Sequence, residues 1–152
     1  MNTIRILTID DDLIVLATIK NIIDRVIDEN KMNIEAHFCS TKKSGLDLFE
    51  KSLKTTEEYD LVFLDLSIDE MEDGFELIPV FKTHSPKINV VIITGSAHIG
   101  TLQRAKEAGA DGYVKKPVVV LTNRITDIIQ RTYKLRELER EFIKIAYDNE
   151  NV

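Results

Sequence analysis

Three acids, a hydroxyl and an ammonium each stand at or just after the end of a short apolar run. They are Asp10, Asp11, Asp65, Thr94 and Lys116. If the apolar runs are parallel strands of one sheet, their carboxyl ends share an edge and these side chains meet there. The acids would hold a divalent cation such as Mg²⁺, which prefers oxygen ligands. The set suits phosphoryl transfer to an aspartate, with the lysine and the threonine on the phosphoryl oxygens.

The apolar runs alternate with amphipathic segments along the whole chain. Short, β-branched runs predict strands at 5–9, 34–39, 59–64, 88–93 and 113–115. Helical spacing of apolar residues predicts helices at 13–27, 44–54, 75–82 and 99–108, and a long last helix from residue 121 onward. This alternation predicts an α/β fold, a doubly wound parallel sheet with helices on both faces.

Three residues predict where helices begin, end or bend. Asp12 is a favoured residue for capping the start of the first helix. Gly109 is suited to the position that closes the fourth helix. Pro79 lies inside the third helix and lacks a backbone donor, so we expect a kink or an early end there.

The bulk properties indicate one soluble domain without a nucleic-acid surface of its own. The chain has 152 residues, of which 43% are hydrophobic and 30% charged. Its net charge of −6 disfavours nonspecific nucleic-acid binding, which depends on clustered lysine and arginine. This charge does not exclude a DNA-binding domain on a longer parent protein.

The cysteine content and the N-terminal residues predict a location in the reducing cytoplasm. Cys39 is the single cysteine, so an intramolecular disulfide is impossible. The first residues lack the apolar core of a signal peptide, and no apolar stretch approaches the ~20 residues needed to span a bilayer. His37, His84 and His98 are scattered, and we assign them no metal or catalytic role.

Several short segments, all in order, resemble a response-regulator receiver domain, the phosphoacceptor module of two-component signalling. The resemblance runs from about residue 5 to about residue 131 and implies the flavodoxin-like strand order 2-1-3-4-5. The segments that carry it are Ile6-Leu7-Thr8-Ile9-Asp10-Asp11-Asp12, Tyr59-Asp60-Leu61-Val62-Phe63-Leu64-Asp65-Leu66, Ile92-Ile93-Thr94-Gly95, Ala108-Gly109-Ala110-Asp111-Gly112-Tyr113 and Lys116-Pro117.

The resemblance implies a phosphoacceptor and a Mg²⁺ site. Asp65 would be the residue that is phosphorylated. Asp11 would ligate Mg²⁺ directly, Asp10 would ligate it through water, and the backbone carbonyl of Ser67 would be a further ligand. Crowded carboxylates raise one another's pKa unless a cation is present, which fits this arrangement.

The resemblance also implies a switch. Thr94 would be the switch hydroxyl, Tyr113 the switch aromatic and Lys116 the phosphoryl partner, with a cis bond between Lys116 and Pro117. The position directly before Pro117 selects Lys116 over its neighbour Lys115. Phosphorylation would add about −1.5 to −2 charges, draw in Thr94 and let Tyr113 turn inward.

The expected function is therefore acceptance of a phosphoryl group from a sensor histidine kinase or a histidine phosphotransfer protein. Such a domain modifies itself and turns over no external substrate. The rival class is a phosphorylation-independent adaptor or dimerisation module of the same fold, and the full set of pocket residues argues against it. A flavin-binding electron carrier would need a Gly/Ser/Thr-rich phosphate loop after the first strand, where this chain has acids.

The sequence departs from the family pattern in the loop after Asp65. Asp69 stands where the family usually has proline, and Met71-Glu72-Asp73-Gly74 contains one extra residue. We expect the longer, more acidic loop to change the rate of phosphorylation or hydrolysis without abolishing it. Gly95 replaces the usual alanine, and the hydroxyls of Ser67 and Ser96 occupy positions that tune dephosphorylation in the family.

Each candidate residue also has a simpler structural interpretation. The acids at 10–12 could be only a strand end and a helix cap. Thr94 could be an ordinary β-branched strand residue, and Tyr113 a core residue. The acidic run at 69–73 could be only a solvated loop. The combination with Asp65 and Lys116 favours the functional interpretation.

The last helix carries an imperfect heptad pattern. This pattern and the alternating charges from Lys134 onward predict an exposed helix, and we divide the chain into a receiver domain at 1–131 and a helical extension at 132–152. The extension either folds back on its own domain or acts as a linker or dimerisation helix. The apolar positions are Leu121, Ile125, Ile128, Leu135, Leu138, Phe142 and Ile145, and Thr132 and Glu139 interrupt them.

Overall fold

Strands and helices alternate along the chain in the computed structural model, which describes residues 2–68, 74–96 and 98–150. The strands are β1 Thr3–Ile9, β2 Asn33–Cys39, β3 Leu61–Asp65, β4 Asn89–Thr94 and β5 Gly112–Lys115. The helices are α1 Leu13–Asn30, α2 Lys42–Leu53, α3 Gly74–His84, α4 Ile99–Ala108 and α5 Thr122–Glu150, with a 3₁₀ helix at Val118–Leu121.

The strands form one parallel sheet in the order β2-β1-β3-β4-β5. The register pairs Ile9 of β1 with Leu64 of β3, and Leu64 in turn with Ile92 of β4. The carboxyl ends of the three central strands therefore lie at one edge. The chain order reverses between β1 and β3, which makes the crevice beyond these two strands the expected ligand site. The predicted fold class and strand order are confirmed.

Both faces of the sheet are covered, which is why the central strands are almost wholly apolar. On one face Leu7 packs with Phe49 of α2 and Phe81 of α3. On the other face Ile6 packs with residues of α1 and α5. Side chains of one strand alternate between these two cores. The polar residues at the strand ends lie beyond the cores, at the carboxyl edge of the sheet.

The predicted helix boundaries are confirmed at two caps. The Asp12 carboxylate accepts a hydrogen bond from the Ile14 backbone N–H at 2.9 Å and so caps α1. Gly109 closes α4 with a φ of 114°, a left-handed conformation that glycine adopts without a side-chain clash. Thr41, which the sequence pattern did not single out, caps α2 by accepting from the Ser44 N–H at 3.1 Å.

The expected early end of α3 at Pro79 is wrong. The helix continues through Pro79 to His84. Phe75, Ile78 and Phe81 are buried on both sides of the proline. Burial of this apolar face outweighs the one backbone hydrogen bond that proline cannot donate.

The long helix α5 belongs partly to the body of the domain. Ile125, Ile129, Thr132 and Arg136 are buried along one of its faces, and residues 141–150 are exposed. The alternating charges predicted an exposed helix from Lys134 onward. This prediction is wrong for Arg136, whose side chain is buried. No helix in the described part of the chain is long and apolar enough to cross a membrane.

Candidate functional site

The candidate side chains meet at the carboxyl edge of the sheet. Asp10 follows β1, Asp65 and Thr94 are the last residues of β3 and β4, and Lys116 follows β5. Asp10, Asp65 and Thr94 are buried, whereas Asp11 is exposed. The pocket thus has a buried acidic floor and one carboxylate at its open side.

The three acids form a cluster that can hold a cation. One carboxylate oxygen from each of Asp10, Asp11 and Asp65 lies within 4.8 Å of the others. The Oδ2 atom of Asp10 is buried and accepts no hydrogen bond. Three carboxylates grouped in this way form an all-oxygen donor set, which fits a hard divalent cation such as Mg²⁺. Among the described residues no histidine belongs to such a cluster.

Lys116 supplies the positive charge of the pocket. Its Nζ lies 3.2 Å from Oδ2 of Asp10 and 3.5 Å from Oδ2 of Asp65. Its backbone N–H donates to the carbonyl of Thr94 at 2.8 Å, which ties the lysine to the end of β4. The bond to Pro117 is cis, as the resemblance implied, and Lys115 is exposed.

The electrostatics of the pocket raise two pKa values. Burial raises the pKa of Asp10 to about 6, and the nearby Asp65 adds to the effect, although the Asp12 N–H and Lys116 oppose it. Burial works to lower the pKa of Lys116, but the negative charges of Asp65 and Asp10 outweigh it and the net pKa is raised. Lys116 therefore remains a cation. Its charge only partly offsets the effect of burial on the Asp10 carboxylate, so the pKa of Asp10 stays raised.

The Thr94 hydroxyl is held by the loop that follows β4. It donates to the Ser96 carbonyl at 2.9 Å and accepts from the Ser96 N–H at 3.0 Å. The side chain is buried at the edge of the sheet. Gly95 is exposed, and a Cβ atom there would meet nothing within 4 Å.

Tyr113 faces outward and is not a core residue, since 38% of it is exposed. The Arg124 guanidinium lies 5.4 Å from the centre of its ring and donates two hydrogen bonds to its backbone carbonyl. The tyrosine lines a groove of ≈ 650 Å³ between α4, β5 and α5, together with Ile99 and Leu102.

The loop after Asp65 approaches the backbone of a later helix closely. The Ser67 N–H donates to Oδ1 of Asp65 at 3.0 Å. A Cβ atom on Gly74 would lie 2.4 Å from the Asp65 carbonyl oxygen, so only glycine fits at the start of α3. This role of Gly74 is not visible in the sequence, because only the folded chain brings the two backbones together. The extra residue Glu72 and its neighbours 69–73 lie outside the described residues.

The pocket geometry agrees with the match of this chain to a family model. Residues 6–130 match the model of the response regulator receiver domain. The chain belongs to this family. The segments that carried the resemblance, from the acids after β1 to Lys116-Pro117, all lie within the matched region.

Several curated relatives of this receiver domain are named as regulatory proteins. The chain is 34% identical over 91 residues to the response regulator protein VraR of Staphylococcus saprophyticus, covering 60% of this chain and 41% of VraR. It is 28% identical over 145 residues to the alginate biosynthesis transcriptional regulatory protein AlgB of Pseudomonas putida, covering 92% of this chain and 30% of AlgB. The match to the nitrogen assimilation regulatory protein NtrX of Azorhizobium caulinodans spans 19% of that protein. The matched region thus spans less than half of the length of each of these relatives.

Solved structures agree with the fold of this receiver domain. A CheY-like receiver domain protein from Methanospirillum hungatei superposes with a TM-score of 0.70 at 26% identity, covering 90% of this chain and 98% of that one. NtrX from Brucella abortus superposes with a TM-score of 0.72 at 25% identity, covering 95% of this chain and 30% of that one.

Proposed function

We propose that this receiver domain accepts a phosphoryl group on Asp65 from a phosphohistidine donor. The observation that carries the proposal is the position of Lys116, whose Nζ lies within 3.5 Å of Asp65 and 3.2 Å of Asp10, beside the acid cluster. An Asp65 oxygen attacks the phosphorus atom, the bond to the donor histidine breaks, and an aspartyl phosphate forms. Lys116 stabilises the charge on the phosphoryl oxygens during the transfer.

Mg²⁺ is the proposed cofactor. Asp11 would bind it directly, Asp10 through water, and the Ser67 backbone carbonyl would be a further ligand beside Asp65. The closeness of the Asp10, Asp11 and Asp65 oxygens and the exposed position of Asp11 support this assignment. When bound, the cation neutralises the acids and the incoming phosphoryl oxygens.

The proposed output of phosphorylation is a change of the face that carries Tyr113. The new phosphoryl oxygens compete with the Ser96 backbone for the Thr94 hydroxyl. Movement of Thr94 toward them vacates space for the Tyr113 ring, which is exposed in this structure. An inward turn of this ring would reshape the groove between α4, β5 and α5, and so carry a local charge event to a surface.

The proposed donor is a sensor histidine kinase or a histidine phosphotransfer protein. Exposed apolar side chains stand near the pocket at the start of α1 and in the adjoining 3₁₀ helix. Leu13, Ile14 and Val120 are each more than two-thirds exposed, and Val119 is exposed beside them. Apolar residues at the rim of a charged pocket favour docking of a helical partner over diffusion of a small substrate.

The proposed reaction modifies the domain itself and turns over no external substrate. The proposed location is the cytoplasm, which matches the single buried thiol of Cys39. A phosphorylation-independent adaptor is the weaker alternative. An adaptor has no need of a lysine paired with two buried acids, because such groups are costly to bury. The proposed domain division remains 1–131 for the receiver and 132–152 for the helical extension, with Thr132 and Arg136 at the start of the extension packed against the receiver.

The test uses beryllofluoride, a stable mimic of the aspartyl phosphate. With Mg²⁺ present, NMR amide signals of residues near Asp65, Thr94 and Tyr113 should shift on its addition to the wild-type chain. The Asp65→Asn variant should show none of these shifts. Shifts confined to the acid cluster would contradict the proposed switch, and equal shifts in Asp65→Asn would contradict the phosphoacceptor assignment.

We also propose that the chain forms a homodimer through the exposed stripe of α5. Leu135, Leu138, Phe142 and Ile145 are exposed at alternating spacings of three and four residues, as in a two-stranded coiled coil. Light scattering of the wild-type chain should give a mass that rises with concentration toward twice the monomer mass. The Phe142→Glu/Ile145→Glu variant should stay monomeric. A monomeric wild-type chain at every concentration would end this proposal.

A further inference from the structure

A buried ion pair joins α5 to the edge of the sheet opposite the acid pocket. Nε of Arg136 lies 2.9 Å from Oδ1 of Asp60, and both side chains are 9% exposed. Asp60 precedes β3, while the acid pocket lies beyond the other end of that strand. A buried pair of this kind costs desolvation free energy, so its main contribution is often geometric specificity.

Contacts within the sheet fix the position of the Asp60 carboxylate independently of α5. Its Oδ2 accepts the Arg5 N–H at 2.9 Å. The Asp60 backbone N–H donates to the Arg5 carbonyl at 2.8 Å, and its carbonyl accepts from the Asn89 N–H at 2.9 Å. Asp60 is therefore held between β1 and β4, and it presents one oxygen in a set position to Arg136.

The guanidinium of Arg136 uses each of its nitrogens. Besides the bond to Asp60, Nη2 donates to the Lys87 carbonyl, and Nη1 donates to Glu139 at 2.7 Å. A planar guanidinium bound at three positions allows little rotation of the helix that carries it.

Arg140 repeats the attachment one turn later. Its Nη1 donates to the Thr3 carbonyl at 2.8 Å and to the side chain of Asn2, and its Nη2 lies 3.6 Å from Oδ1 of Asp60. Beyond this residue the helix is exposed from 141 to 150. That segment, which we call the distal arm, extends about 15 Å at the usual helical rise.

We propose that Asp60, Arg136 and Arg140 form a clamp that fixes the direction in which the distal arm leaves the domain. Any partner of the arm then meets it in one orientation relative to the sheet. The clamp lies at the other end of β3 from the acid pocket, so its removal should free the arm without affecting phosphorylation. The proposal goes beyond the phosphoacceptor function and does not depend on it.

The test measures a distance distribution by pulsed electron paramagnetic resonance. Spin labels are attached to Lys51→Cys on α2 and Lys144→Cys on the distal arm, in the full chain with Cys39→Ala. Measurements are made in the Phe142→Glu/Ile145→Glu background, which is expected to stay monomeric. Arg136→Met should broaden the distribution and shift its mean. The matched control is Arg131→Met, which removes an exposed pair with Asp127 at 2.9 Å on the same helix and should leave the distribution unchanged.

A second variant covers the case in which Arg136→Met fails to fold because the buried charge of Asp60 loses the Arg136 guanidinium. Asp60→Asn/Arg136→Met removes both charges and keeps an oxygen that accepts the Arg5 N–H. It should fold and show the same broad distribution. A distribution in the folded variant no broader than that of Arg131→Met would overturn the clamp. Beryllofluoride binding should equal that of the wild-type chain, so failure of the phosphoacceptor proposal would be visible separately.

Discussion

Lys116 partly neutralises two carboxylates that would otherwise repel each other in a buried pocket. It lies closer to Asp10 than to Asp65, at 3.2 Å against 3.5 Å. Asp10 still has one oxygen without a hydrogen bond and a pKa raised to about 6, mainly by burial. At the scale of single residues, the pocket without a cation is thus under electrostatic strain that a divalent cation relieves.

The raised pKa predicts how stability of the cation-free protein depends on pH. Asp10 has a higher pKa in the folded chain, about 6, than its ordinary value of 3.8. The folded state therefore binds more protons between pH 4 and 6, and this group lowers stability as the pH rises through that window. Asp10→Asn should raise the free energy of unfolding at pH 7 by about 1–3 kcal/mol and change it little at pH 4.

Urea unfolding in the presence of a chelator measures this effect at both pH values. Asp11→Asn, at the exposed neighbouring acid, is the matched control and should have the smaller effect at pH 7. Adding Mg²⁺ should reverse the order and make the wild-type chain more stable than Asp10→Asn at pH 7. A lower stability of Asp10→Asn at pH 7 without any cation would contradict this account.

Two glycines near the pocket provide a matched pair of substitutions. A Cβ atom on Gly74 would lie 2.4 Å from the Asp65 carbonyl oxygen, whereas one on Gly95 would meet nothing within 4 Å. Gly74→Ala should lower the free energy of unfolding by about 1–3 kcal/mol because the backbone of Asp65 or α3 must shift. Gly95→Ala should stay within about 0.5 kcal/mol of the wild-type chain. Equal stabilities in chemical denaturation would show that α3 does not approach Asp65 this closely.

At the scale of the elements, α5 has two parts with different surroundings. Ile125 and Ile129 are buried against the sheet and α1, whereas Ile143 is exposed on the distal arm. Asn89 of β4 donates to the Thr132 hydroxyl at 3.2 Å, so the packed part continues past residue 131. The helix thus contributes both core residues and an exposed surface within one uninterrupted element.

An isoleucine from each part of α5 tests this difference. Ile129→Ala should lower the free energy of unfolding by about 2–5 kcal/mol, because it removes buried apolar groups and leaves a cavity. Ile143→Ala should change it by less than about 0.5 kcal/mol. Thermal or urea unfolding of monomeric protein measures both, and equal losses would contradict the exposed position of Ile143.

Some of these elements and residues could be predicted from the sequence, and others could not. Continuous apolar runs identified the central strands, and Pro117 selected Lys116 over Lys115, because both signals are local. Arg136 was not predicted, since its partner Asp60 is 76 positions away. An early end of α3 at Pro79 was wrongly expected, because a local rule cannot weigh the burial of the residues around the proline.

At the scale of the whole molecule, the two ends of the sheet have separate roles. The carboxyl edge brings together Asp10, Asp65, Thr94 and Lys116 from four strand ends, where the topology reverses. The opposite edge holds Arg136 of α5 through Asp60. The apolar core between them is closely packed, and it keeps the pocket geometry fixed.

The phosphoacceptor assignment is tested most directly by intact-mass spectrometry after incubation with a small phosphodonor and Mg²⁺. The wild-type chain should gain the mass of one phosphoryl group. Asp65→Asn should gain none, although its fold and remaining acids are retained. The same gain in Asp65→Asn, or no gain in the wild-type chain while Mg²⁺ is bound, would contradict the account.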